Sequence, residues 1–235
     1  MWPDWLPLAD ALPKTRVVAV LRDETDLDRA AAEVVVAMDE IGVARASLVG
    51  HSMGGFVAEA AARLHPERVS GLVLLDSSVT HVSAAIAVID TVGGRALGVT
   101  CGRIGRFARA AGFAKRLFEP RTARRDVERR ALVDPMSVDV ARWSLIAQEL
   151  EAHQVWARRL VQLRAERPLG AIPVRVVSAE QGPWSRGWLR QQANLVGLLG
   201  AESARPEVAQ RVVRSGHLVH LEQPRVVAEV VRSLR

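Results

Sequence analysis

The sequence predicts an α/β protein: a mostly parallel sheet with helices on both faces and a helical cap inserted between strands. Three observations predict it. Short, nearly continuous apolar runs such as Val69-Ser70-Gly71-Leu72-Val73-Leu74-Leu75-Asp76 read as strands buried on both faces. These runs alternate with segments whose apolar residues recur at helical spacing, the signature of strands joined by crossing helices. From about Val79 to Leu169 the strands stop and only helical stripes continue, broken at Gly93-Gly94, Pro120 and Pro135. The chain therefore divides into a core of residues 1–78 and 170–235, interrupted by a helical cap insertion at 79–169. With 235 residues, 49% of them hydrophobic, it can bury a sizeable core as one domain carrying an insertion.

In chain order, a short helix over Leu6 to Leu12 stops at Pro13. Thr15-Arg16-Val17-Val18-Ala19-Val20-Leu21 is the first strand expected. Ala31, Val34, Val35, Met38 and Ile41 share one face of a helix over 28–41, and Gly42 stands where that helix ends. Leu48-Val49 is a buried strand, followed after a turn by an Ala-rich helix that Pro66 closes. Beyond the insertion, Ile172 to Val177 resumes the sheet, and a helix from Trp188 to Leu199 ends at Gly200. Gln210 to Val213 is the last strand, and a helix from Pro224 to Leu234 closes the chain.

Composition excludes several function classes. Cys101 is the one cysteine, so no internal disulfide forms, and a reducing compartment is expected. No run approaches 18 uninterrupted apolar residues, so no transmembrane helix and no membrane partner are expected. Met1-Trp2-Pro3-Asp4-Trp5 lacks the basic start and apolar stretch of a signal peptide, which makes a cytoplasmic location the expectation. The net charge is +6, and only Lys14 and Lys115 among 32 basic residues are lysines. The densest basic stretch, Arg103 to Arg130, is interleaved with Glu119, Asp126 and Glu128, which reads as a solvated helical face. Aromatics are 4% and tyrosine is absent, so no base-stacking platform and no nucleic-acid partner are expected.

The chemistry concentrates at Gly50-His51-Ser52-Met53-Gly54. A G-x-S-x-G pentapeptide between a strand and a helix is a nucleophile elbow, in which a strained turn pushes the serine hydroxyl out of the sheet. Glycines remove the side chains that would block the tight crossing of strand and helix. The plain alternative is a structural Gly-rich turn. A serine hydroxyl needs a base titrating near neutrality, which points to histidine. Of six, His217 lies on a Gly-containing loop between the last strand and the last helix, above the carboxyl ends of the strands. His51 reads as a packing residue, His65 as the cation at a helix end, and His81 and His153 as exposed residues of the insertion. His220 sits at a helix entrance. A third group must hold the imidazole in one tautomer. Asp76, at the end of the strand after the elbow helix, is preferred because a strand end fixes a side chain firmly. Glu180, after the Val174 to Val177 strand, is the alternative.

These residues together resemble the α/β-hydrolase fold superfamily. Gly50-His51-Ser52-Met53-Gly54-Gly55 matches the elbow as such enzymes write it. Gly216-His217 with Leu221-Glu222-Gln223-Pro224 resembles their histidine loop, and Leu74-Leu75-Asp76 their next strand end. The likeness spans most of residues 5 to 235 and implies a serine hydrolase that cleaves an ester or related small acyl substrate. Ser52 would form the acyl-enzyme, His217 would be the base, and the Met53 N–H one oxyanion donor. No cofactor or metal is implied. Two departures stand out. Ser178-Ala179-Glu180-Gln181-Gly182 holds no aspartate where much of the superfamily has its acid, which reinforces Asp76. A strand with a His-Gly loop, the usual source of the second oxyanion donor, does not precede Trp5. Its absence would leave a gap between the strand at 15–21 and the elbow strand. The alternative reading is a non-catalytic binding protein of the same fold.

Overall fold

The computed structural model describes residues 3–20, 24–80, 140–180, 185–202 and 207–234. Strands β1 (Ala46–His51), β2 (Val69–Leu75), β3 (Val174–Ala179) and β4 (Val208–Val213) form one sheet in the order β1-β2-β3-β4, each neighbouring pair parallel. Parallel neighbours require crossovers that cover the sheet faces. The helices are α1 (Leu6–Asp10), α2 (Leu27–Glu40), α3 (Gly54–Leu64), α4 (Val140–Glu166), α5 (Ser185–Glu202), α6 (Val219–Glu222) and α7 (Pro224–Arg232).

The strands sort their side chains by the two-residue period of extended chain. On β2, Leu72 and Leu74 join Ala58 and Ala62 of α3 and Leu195 and Leu199 of α5 in one cluster. Val73 and Leu75 point the other way, into a cluster with Leu8, Val219, Val227 and Ala228. Apolar runs without alternation are the price of burial on both faces, and β2 is buried along nearly its whole length. Helix α3 is buried on every side from Gly55 to Arg63. Its alanines let it pass between the sheet and an outer layer, where Leu27, Ala31 and Val34 of α2 and Trp156, Leu160 and Leu163 of α4 close over it.

A buried ion cluster fastens α4 to the elbow helix. Glu59 on α3 accepts from Arg63 at 2.7 Å and from Arg164 of α4 at 2.8 Å. Arg164 also donates to Thr80 at 3.0 Å, a few residues past the end of β2. Burial opposes the charge on Glu59, but Arg164 and Arg63 more than offset it and hold the carboxyl below its ordinary range.

Three expectations change. Residues 15–20 are not a strand: Val17 is packed against the α1–α7 cluster, but the segment joins no ladder, and Arg16 instead donates to the Ile41 carbonyl at 3.2 Å. A half-buried segment becomes a strand only beside a partner, and among the described residues β1 is paired with β2 alone. Helix α5 runs through Gly200 to Glu202. His153, expected to be exposed, is buried against Phe56, with ring centroids 5.4 Å apart. Residues 81–139 of the expected cap lie outside the described residues. With them go Cys101, His81, the breaks at Gly93-Gly94, Pro120 and Pro135, and the basic stretch from Arg103 to Arg130.

Candidate active site

The elbow forms because two glycines permit it. A Cβ on Gly50 would run into the backbone of Gly54 and Gly55, and one on Gly55 would overlap the Ser77 side chain. With strand and helix so close, Ser52 turns the chain at φ 52°, a conformation that a non-glycine residue holds only when its surroundings enforce it. They do so by two bonds to the neighbouring strand end: Ser52 N–H donates to the Leu75 carbonyl and Ser78 N–H to the Ser52 carbonyl, both at 3.1 Å. Met53 follows as the cap residue of α3, so its amide is among the N–H groups that no helical carbonyl satisfies.

Asp76 is the other non-glycine residue at positive φ among the described residues, at 41°. It ends β2, and its amide donates to the Val177 carbonyl at 2.6 Å. Its side chain is 2% exposed, and a carboxylate so buried requires donors. Three are present. Oδ1 accepts from the Ala179 amide at 2.9 Å and from the Trp188 indole at 2.6 Å. Oδ2 accepts from His217 Nδ1 at 2.7 Å. A carboxylate oxygen accepts and Nδ1 donates, so the neutral imidazole keeps its basic lone pair on Nε2.

The loop carrying His217 is held at both ends of its turn. Glu222 of α6 accepts from the Gly216 amide at 2.9 Å. His51 Nε2 donates to the His217 carbonyl at 2.8 Å, and the two rings lie 4.5 Å apart. His51 is therefore more than the packing residue its position inside the elbow predicts. It ties the strand before Ser52 to the loop that carries His217. His220 is fully buried, stacked on Trp5 at 4.2 Å with Asp4 at 3.5 Å, on the far side of His51. Glu180 is exposed, and its amide donates to the Val213 carbonyl at 2.8 Å. His65 caps the C-terminal end of α3.

The structure thus brings Asp76 and His217 into contact and sets Ser52 and Met53 at the adjoining strand end. Ser52 Oγ carries no hydrogen bond among the described residues. The arrangement can hold one imidazole tautomer, stabilise its cation and move a proton at Nε2. Trp188, His51 and Glu222 escaped the sequence reading. Glu222 lies in a stretch that attracted notice for its resemblance, whereas Trp188 has no local signal of its role, because its partner is 112 residues away.

Residues 1–230 match the alpha/beta hydrolase family. No curated protein matches the chain. Among solved structures, a thermophilic esterase from Thermogutta terrifontis, malate bound, has a TM-score of 0.74 at 19% identity, covering 99% of this chain and 84% of that one. An enol-lactonase from Burkholderia xenovorans LB400 has a TM-score of 0.67 at 16% identity, covering 99% and 86%. At such identities the likeness is one of fold. No helix among the described residues is long and apolar enough to cross a membrane.

Proposed function

This chain belongs to the alpha/beta hydrolase family, and from that premise we propose that it cleaves an ester or related small acyl substrate through an acyl-enzyme on Ser52. The observation that carries the proposal is the 2.7 Å bond from His217 Nδ1 to the buried Asp76 carboxylate, beside an elbow serine at positive φ. Ser52 Oγ attacks the acyl carbon while its proton passes to His217 Nε2. Asp76 stabilises the imidazolium through the Nδ1–H bond. The tetrahedral oxyanion accepts from the Met53 amide at the start of α3. Collapse breaks the bond to the leaving alcohol, which takes its proton from His217. Water then attacks the acyl-enzyme, again surrendering a proton to Nε2, and the acid departs as Ser52 is restored.

A fluorophosphonate probe, which phosphonylates only an activated serine, tests this reading. The wild-type chain should be labelled and Ser52→Ala should not. Absence of labelling, or labelling that survives Ser52→Ala, contradicts the proposal and leaves a binding protein built on the same fold.

A further inference from the structure

We infer that Trp188 is the positioning residue for the triad acid, its indole N–H fixing the Asp76 carboxylate in the orientation that serves His217. This rests on the reading of Asp76 as that acid. Asp76 turns at an unfavourable φ of 41° at a strand end, where the sheet gives its side chain one donor, the Ala179 amide. Helix α5 supplies a second. Trp188 Nε1 donates to Asp76 Oδ1 at 2.6 Å, and Gln192, one helical turn on, donates to the Ser77 carbonyl at 2.7 Å. Two donors on one helix face therefore grip two consecutive residues of the turn.

The indole nitrogen can donate but not accept. With Oδ1 claimed by Trp188 and the Ala179 amide, Oδ2 is the oxygen left to face His217. Trp188 is itself half-buried against the cluster under the sheet that includes Leu72 and Leu74, so its ring is anchored apart from this bond. Asp76 from the end of β2 and His51 from β1 face His217, and Glu222 of α6 holds its loop.

Trp188→Phe keeps an aromatic ring in the cluster and removes the N–H. On a short acyl ester, kcat should fall roughly 10-fold with KM unchanged, as for loss of a hydrogen bond to a charged group. The far-downfield proton of the Asp76–His217 bond should shift in the NMR spectrum of the resting protein, a readout that needs no turnover. A folded Trp188→Phe chain with unaltered kcat and downfield proton overturns the inference. Asp76→Asn separates the two levels. Unchanged hydrolysis in that variant means the triad reading itself has failed, whereas an inactive Asp76→Asn beside an unaltered Trp188→Phe overturns the role of Trp188 alone. Should Trp188→Phe not fold, the Trp188 indole proton of the wild-type chain carries the test. It should be protected from exchange and displaced by Asp76→Asn, and free exchange would overturn the inference.

Discussion

Ser52 and Asp76 hold left-handed backbone at the ends of adjacent strands, each with a polar side chain where glycine would be more comfortable. That shared strain is what sets the two side chains outside the ladder of the sheet. The chemistry divides between them, and the variants should divide with it. Asp76→Asn keeps the shape but no longer enforces the Nδ1–H tautomer of His217, so kcat on an acyl ester should drop by about 10⁴-fold. His51→Ala removes the donor to the His217 carbonyl. It should lower kcat/KM by up to about 10-fold, the scale of one neutral hydrogen bond, with the global fold unchanged by circular dichroism. Gly55→Ala drives a methyl into Ser77 and should destabilise the chain by about 1–3 kcal/mol in urea unfolding. The elbow was legible in the sequence because its causes are local: two glycines, an apolar strand and an Ala-rich helix within a few residues. The grip of His51 on the histidine loop was not, since it joins positions 166 residues apart.

At the scale of elements, α3 is the shaft on which the site turns, and the Glu59 cluster is its fastening. Removing the charge from Glu59 leaves Arg63 and Arg164 buried together without their carboxylate, so Glu59→Gln should cost about 3–5 kcal/mol at neutral pH. The acid dependence follows from the lowered carboxyl. A depressed folded-state value contributes stability above the ordinary glutamate range and loses it as pH falls through the lowered value. The gap between wild type and Glu59→Gln in urea should therefore narrow as pH is lowered towards about 3. A gap that stays constant or widens would contradict this account of the cluster. Buried strands and amphipathic helices were legible here, as β2 and α2 show, because each carries its period in its own residues. The segment at 15–20 shows the limit. Its pattern fits a strand, yet strandedness is a property of a pair, and no ladder partner lies beside it among the described residues.

For the whole molecule, the sheet is covered by α2, α3, α4 and α5 on one face and by α1, α6 and α7 on the other, and the carboxyl ends of β1 and β2 carry Ser52 and Asp76. A net charge of +6 gives the chain a general attraction for polyanions that should be released at moderate salt. Retention on heparin that persists at high salt would contradict that view. The account as a whole stands or falls on Ser52 taking up an acyl group under the control of His217. Acid-quenching the reaction with p-nitrophenyl acetate within the first turnover and mapping the trapped acetyl by mass spectrometry tests this most directly. The acetyl group should lie on Ser52, vanish in Ser52→Ala and fail to accumulate in His217→Ala. Hydrolysis with no acetyl on Ser52, or an adduct that forms equally fast without His217, would contradict it.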